Sequence, residues 1–261
     1  MTLLFHELRR NRFSIIIWSA AISFMLGVCI IIYPEMSSQM DELSSLMADM
    51  GAFTSAFGMD QLNFGEFMGY FAIECGNTLG LGGAMFAAIV GASALAKEEK
   101  DGTAEFLLTH PISRTRIITE KLTAVVVQIF ILNAVAVAIT CLGILAVGVE
   151  AEFDKLALVF LAYFLLQIEF AALTFGVSAF MKSGSVGVGL GLVFGLYFVN
   201  ILANLTEDLE VLKYITPFGY ADGAHIVPDG AIEIKYLSVG LVFTALGITA
   251  AYLKYRKKDI T

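Results

Sequence analysis

The chain has 261 residues, of which 58% are hydrophobic and 15% are charged, and its net charge is −8. A soluble domain carries about 25% charged residues, so this composition excludes an ordinary soluble protein. The apolar residues are concentrated in runs of about 20, the length that crosses the ~30 Å hydrocarbon core of a bilayer. We therefore predict a protein that folds in lipid, and we expect no nucleic-acid partner.

Six such runs occur, and each predicts one transmembrane helix. In chain order they cover residues 13–33, 67–94, 122–147, 156–180, 185–205 and 236–253. The first run is longer than the apolar core of a signal peptide, so we expect it to be retained as the first span. The predicted fold class is an all-α integral membrane protein with six transmembrane helices, forming a single domain over residues 1–261.

The basic residues predict the orientation of these spans. With both termini in the cytoplasm, all but three of the sixteen lysines and arginines lie on the inner side, as the positive-inside rule requires. The three exceptions are Lys155, Lys213 and Lys235. We therefore expect a multi-pass protein of the cell membrane with cytoplasmic N- and C-termini.

Two segments beside the first span have an amphipathic pattern. Residues 1–12 combine leucines with arginines, which predicts a short helix on the inner membrane surface. After the span, an apolar stripe at helical spacing predicts an outer amphipathic helix. Its members are Met36, Met40, Leu43, Met47 and Met50. The pattern favours packing against the spans or the lipid, although thioethers can also bind copper(I).

The longest inner segment, residues 97–121, joins spans two and three. Asp101 or Thr103 can cap a short helix, Pro111 ends it, and Ser113 can cap the helix of the next span. The short helix presents three consecutive apolar side chains to the cytoplasm: Phe106, Leu107 and Leu108. An exposed apolar surface of this kind indicates a docking site for another protein.

The same segment resembles the cytoplasmic loop of ABC-2 type permeases, the membrane subunits of bacterial and archaeal ABC exporters. The residues that carry the resemblance are Glu99, Lys100, Asp101, Gly102, Thr103, Glu105, Leu107, Leu108, Pro111, Ile112, Ser113, Arg114, Ile117 and Lys121. The basic stretch 255–260 and the stretch 215–218 are also similar to the family. Six spans with both termini inside match its architecture.

The resemblance implies a half-transporter. A second permease subunit, identical or homologous, would complete the pathway, and separate ABC ATPase subunits would dock beneath it. Residues 1–12 would be the elbow helix, and the extracellular segment 206–235 would form re-entrant helices. The coupling helix would dock on the ATPase through Gly102, Thr103, Glu105, Phe106, Leu107, Leu108, Pro111 and Arg114.

No Gly-x-x-x-x-Gly-Lys-[Ser/Thr] phosphate-binding loop occurs in the sequence. We therefore expect that the chain is not itself an ATPase, and that ATP and Mg²⁺ bind to the partner subunit. No histidine pair has metal-ligand spacing, so no metal site, catalytic residue or cofactor of this chain's own is predicted.

Polar residues within the spans are candidates for the pathway. A carboxylate in the bilayer costs at least about 2.5 kcal/mol and often marks a functional site. Glu169 lies near the middle of span four and Glu74 near the outer end of span two, although each could instead have a structural role. Gln128 and Asn133 on span three can form hydrogen bonds between helices, and Asn133 is also a pathway candidate.

Glycines repeat every four residues in span five, at Gly187, Gly191 and Gly195. Small residues at this spacing let helices approach closely. The repeat predicts either packing within the subunit or the seam of a dimer. Gly76, Gly80 and Ala84 form a similar series in span two.

The predicted function is the permease subunit of an ATP-driven exporter, with an amphipathic or antimicrobial peptide or an antibiotic as the suggested substrate. Two alternatives remain open at this stage. The first is a secondary transporter that uses Glu169 as its ion carrier. The second is a membrane sensor or assembly factor that transports nothing and binds its ligand on the outer amphipathic helix.

Overall fold

A computed structural model describes residues 2–39, 54, 66–102, 112–182 and 186–258. The helices of these residues are α1 (Thr2–Ser38), α2 (Phe67–Cys75), α3 (Gly82–Ala94), α4 (Lys97–Lys100), α5 (Arg114–Val147), α6 (Phe153–Ser178), α7 (Val186–Leu205), α8 (Gly223–Asp229) and α9 (Ile234–Lys257). A π-helical segment, Gly76–Leu81, joins α2 to α3 without a break. The described part of the chain contains no strand.

Six helical stretches are long and apolar enough to cross a membrane, and they coincide with the six predicted spans. The second of them is the continuous stretch from α2 to α3. Their outward faces carry exposed large apolar side chains, among them Phe24, Leu145 and Phe198. Such surfaces are stable only in contact with lipid or another apolar surface. The all-α membrane fold is confirmed.

The separate elbow helix predicted for residues 1–12 is not confirmed. Residues 2–12 form the first turns of α1 and continue into the first span. The first glycine of α1 is Gly27, and Pro34 is its first proline, so no residue that interrupts a helix separates the two parts. Glu7 is also buried, which places this turn of α1 against the bundle.

The third span begins earlier than the apolar run that predicted it. α5 starts at Arg114, and the side chain of Ser113 accepts a hydrogen bond from Arg116 N at 3.3 Å, so the predicted cap is confirmed. At its other end, Gly148 adopts a left-handed conformation (φ +74°) and closes the helix by donating to Ile144 O. The polar first turns of α5 therefore extend beyond the apolar span.

Small residues allow the central helices to pack closely. Gly76 and Gly80 lie against the ring of Tyr163 on α6. α6 also crosses α9 at Gly176 and Gly247, where a Cβ on Gly176 would lie 2.6 Å from Gly247 O. α6 is therefore held on one side by the second span and on the other by the sixth.

The segment between α7 and α9 folds back into the bundle at the end opposite the chain termini. It consists of the 3₁₀ helices Glu207–Tyr214 and Pro217–Gly219, followed by α8. Phe218 and Tyr220 are buried, and Phe218 packs on Phe170 of α6 and Tyr197 of α7. The segment predicted as re-entrant thus fills the space between the spans at this end.

Candidate functional site

A buried ion-pair cluster joins three helices at the end of the bundle that carries both termini. Lys121 of α5 is 1% exposed. Its Nζ donates to Glu98 Oε1 of α4 at 2.5 Å, to Glu7 Oε1 of α1 at 3.1 Å, and to the carbonyl oxygen of Ala94 at 2.7 Å. The lysine therefore uses all three of its donors within the protein.

Arg10 completes this cluster. Its guanidinium donates to Glu7 Oε2 at 2.7 Å and to Glu98 Oε1 at 3.5 Å. Two cations thus face two carboxylates, so the buried charges balance. Breaking such an arrangement is far more costly than breaking an exposed ion pair, because the remaining charges stay away from water. We call Glu7, Arg10, Glu98 and Lys121 the basic-end cluster.

A second set of contacts holds the next residue of α4. Glu99 pairs with Lys258 Nζ at 2.5 Å, and Lys258 also donates to Met181 O at 2.6 Å. Arg114 Nη1 donates to Lys258 O at 2.5 Å and lies within 3.3 Å of two further carbonyl oxygens at the end of α9. Glu98 is therefore bound to α1 and α5, whereas Glu99 is bound to the residue that follows α9.

The local environment also affects Lys97, the first residue of α4. Partial burial lowers the pKa of Lys97, and the neighbouring charge of Arg10 lowers it further. At the other end of α4, Gly102 has φ +67°, a backbone conformation that favours glycine, and an added Cβ would contact nothing there. Gly102 thus ends a firmly held helix with a left-handed turn.

The predicted coupling helix follows this turn. Of its predicted docking residues, the structure describes Gly102 and Arg114, which flank the segment on its two sides. The others, Thr103, Glu105, Phe106, Leu107, Leu108 and Pro111, lie outside the described residues. Most of the outer methionine stripe, residues 40–50, lies outside them as well.

Glu169 is the most buried of the predicted pathway carboxylates, at 2% exposure. Its Oε2 accepts a hydrogen bond from the hydroxyl of Tyr220 at 2.9 Å, and it lies against Gly240 of α9. The carboxyl group therefore bridges α6, α9 and the segment that folds back between the spans. Glu74 has a weaker partner, the Cys29 thiol at 3.7 Å, and stays partly exposed.

Asn133 belongs to a buried hydrogen-bond chain across three spans. Its Nδ2 donates to Gln167 Oε1 of α6 at 2.6 Å, and Gln167 Nε2 donates to Leu79 O at 3.3 Å. Leu79 lies in the π-helical segment of the second span, where the altered backbone pairing leaves carbonyl groups available. The chain of bonds fixes this segment against its neighbours. Gln128 bonds instead to Ala124 O within its own helix.

The glycine repeat of span five does not pack within the subunit. Gly187, Gly191 and Gly195 are all exposed, and a Cβ added to Gly191 or Gly195 would meet nothing within 4 Å. The close contact of α7 is made at Gly189, two residues from the nearest members of the repeat. There, a Cβ on Gly189 would lie 2.9 Å from Ala88 O.

No pattern in the sequence predicts the contacts of Glu7, Arg10 and Glu98, and Lys121 enters the predictions only through the topology and the family resemblance. One signal was available for Lys121. It lies at helical spacing among Ile117, Ile118, Ala124 and Val125, all of which are buried. A lysine on the apolar stripe of a helix indicates a buried cation, which requires acidic partners. No comparable pattern in the sequence predicts the hydrogen bond between Tyr220 and Glu169.

These features define a multi-pass α-helical membrane protein with a charged cluster at one end and polar contacts inside. The family model described as "ABC-2 family transporter protein" matches residues 1–260, and the chain belongs to this family. The chain is therefore an ABC transporter permease, a class of membrane subunit that works with an ABC ATPase. A search of curated proteins found no significant match.

Proposed function

We propose that this permease forms the translocation pathway of an exporter, as a dimer, and is driven by separate ATPase subunits that bind ATP and Mg²⁺. The termini and the basic-end cluster would face the cytoplasm of a cell membrane, in accord with the positive-inside rule. The chain itself would hydrolyse no ATP.

The observation that carries this proposal is the way in which α4 and the start of α5 are held. The predicted coupling segment lies in the chain between α4 and Arg114, and the structure describes the residues on both sides of it. Both flanks are bonded to α1 and α9 through Lys121, Lys258 and Arg114. A displacement of the segment by an ATPase would therefore be transmitted to the spans rather than absorbed by a loose linker.

Coupling through the apolar residues of the segment can be tested by co-expression of this chain with its partner ABC ATPase. Changing Phe106, Leu107 and Leu108 together to Asp is expected to abolish co-purification and ATP hydrolysis, because three charges would replace the apolar contact surface. The matched control changes three polar residues that are not predicted to dock, Thr109, His110 and Thr115, to Asp.

The control triple variant is expected to retain at least part of the bound ATPase. Equal ATPase binding by wild type and the apolar triple variant would overturn the proposed docking surface. Equal loss in both triple variants would show that added charge, not the apolar contact, caused the effect.

The exposed glycine face of α7 supports the proposed dimer. Gly187, Gly191 and Gly195 lie on one side of the helix, with Phe198 continuing the same exposed face. Because the three glycines are exposed and a Cβ on Gly191 or Gly195 would meet no described atom within 4 Å, this face is available to a second copy or a homologous subunit. Close helix approach between subunits is what small residues at this spacing permit.

Glu169 favours a second candidate function, ion-coupled transport, because its carboxyl group is buried where α6, α9 and the segment that folds back meet.

The two functions can be distinguished by measuring how well the transporter protects cells against a panel of cationic amphipathic peptides and antibiotics. For an ATP-driven exporter, protection is lost when the P-loop lysine of the ATPase is replaced. Glu169→Gln is expected to retain protection, because its amide oxygen can still accept from Tyr220. Protection that survives the ATPase variant and is lost in Glu169→Gln would establish the ion-coupled function instead.

A further inference from the structure

A small polar cavity lies between the second span, α7 and the segment that folds back, at the end opposite the basic-end cluster. Its volume is about 60 Å³, which is room for a small ion together with one or two waters. The polar side chains that line it are Asn77, Tyr163, Tyr197, Asn200, Asn204 and Asp222. Such a concentration of polar groups between transmembrane helices is costly unless they bind something.

Two of these side chains present unpaired oxygens. Asn200 is 9% exposed, and its Oδ1 accepts no hydrogen bond from any residue that the structure describes. Asn204 Oδ1, one helical turn further along α7, is buried and unpaired in the same sense. A buried acceptor without a partner is costly, and a cation bound between Asn200 and Asn204 would give both oxygens a partner.

Asp222 supplies the charge. Its Oδ1 caps α8 by accepting from Ala224 N at 3.0 Å, and its Oδ2 has only a long contact of 3.5 Å with Asn204 Nδ2. No lysine, arginine or histidine is among the residues that line the cavity. Lys213 and His225, two basic residues of the segment that folds back, contact each other through Lys213 Nζ and His225 Nε2 at 3.0 Å. The cavity therefore has one negative charge and several neutral oxygens.

We propose that this cavity binds a small monovalent cation, either an alkali metal ion or a primary ammonium group. One carboxylate matches a single positive charge, whereas calcium sites use 6–8 oxygens, often from several carboxylates. No cluster of three or more carboxylate, histidine or cysteine side chains with metal-binding geometry occurs among the described residues. Asn77 lies in the π-helical segment of the second span, so a bound cation would also stabilise this segment.

The site can be tested on the purified full chain in detergent, without any ATPase, so the result does not depend on the proposed transport function. Thermal unfolding is measured with sodium, potassium or methylammonium chloride, with the ionic strength held constant by N-methylglucamine chloride. A ligand that binds only the folded state raises the melting temperature in a saturable way. We expect this from at least one of the three small cations. Sodium or potassium would identify a metal-ion site, and methylammonium an amine site.

Asp222→Ser is the decisive variant, because serine can still cap α8 while the charge is lost. We expect its apparent affinity for the cation to fall about tenfold or more, equivalent to at least 1.4 kcal/mol. Asp229→Ser, which removes an exposed charge from the end of the same helix, is the control and should bind as wild type does. Asn200→Leu should also weaken binding.

Three results would overturn the proposal. One is the absence of any saturable shift in wild type, which would leave the cavity occupied by water alone. The second is a shift in Asp222→Ser equal to that of wild type. The third is an equal effect of N-methylglucamine, which is too bulky for the cavity and would indicate a general effect of salt.

Discussion

Replacing Lys121 with methionine is expected to destabilise the protein by about 3–5 kcal/mol, the range for removing one partner from a buried ion pair. Methionine keeps the length of the side chain but leaves Arg10 as the one cation that forms an ion pair with Glu7 and Glu98 among the described residues. The free energy of unfolding is measured by denaturant titration in mixed micelles. Lys155→Met is the control, because Lys155 pairs with Glu152 in a partly exposed position where such pairs contribute about 0–1 kcal/mol.

A compensating change separates charge imbalance from lost packing. Glu98→Gln added to Lys121→Met leaves Glu7 and Arg10 as a balanced pair, so the double variant is expected to recover at least half of the lost stability. If Lys121→Met were no less stable than Lys155→Met, the cluster would not hold α1, α4 and α5 together. A displacement of the coupling segment would then not be transmitted to the spans through these contacts.

Replacing Gly247 with leucine is expected to cost about 3 kcal/mol or more, at the upper end of the effects of overpacking. A Cβ at this position would lie 2.5 Å from Ala172 O, a backbone atom that cannot move unless α6 and α9 separate. The contacts of Glu169 and Tyr220 would be displaced with them. Thermal unfolding of the purified protein measures the loss.

Gly191→Leu is the matched control on α7, where an added side chain meets nothing within 4 Å. The stability of the subunit should be unchanged, or raised by up to about 1 kcal/mol because leucine favours a helix over glycine. Light scattering after gel filtration should show a weakened dimer if this face is the seam. Equal destabilisation by both variants would contradict the close α6–α9 crossing as the cause.

The hydrogen bonds in the interior of the bundle and the basic-end cluster are connected through shared helices. α6 carries both Gln167 and Glu169, which bind the π-helical segment and the Tyr220 segment respectively. α5 carries Asn133 in the interior and Lys121 at the basic end. Movement of the basic-end cluster would therefore act on the interior hydrogen bonds through α5, as the proposed coupling requires.

The sequence predicts which polar residues lie within the spans, but it does not predict which side chains they contact. Glu169 was recognised as an unusual carboxylate from its position in an apolar run, but Tyr220 is 51 residues away in a segment with little periodicity. The glycine repeat of α7 was correctly seen as a small-residue face. Whether that face points inward depends on the rotation of the helix, and Gly189 rather than the repeat makes the inward contact.

By itself, the sequence determined the class of the protein, the number of spans and the cap at Ser113. These depend on local composition and on the cost of exposing apolar or charged groups to the wrong solvent, so a single stretch of chain contains the necessary information. Only the tertiary structure decided that α1 is continuous from Thr2, that Lys121 is neutralised by two glutamates, and that Asn200, Asn204 and Asp222 line one cavity. Those features arise from contacts between residues far apart in the chain, and their partners depend on the rotation and crossing of each helix, which side-chain packing sets.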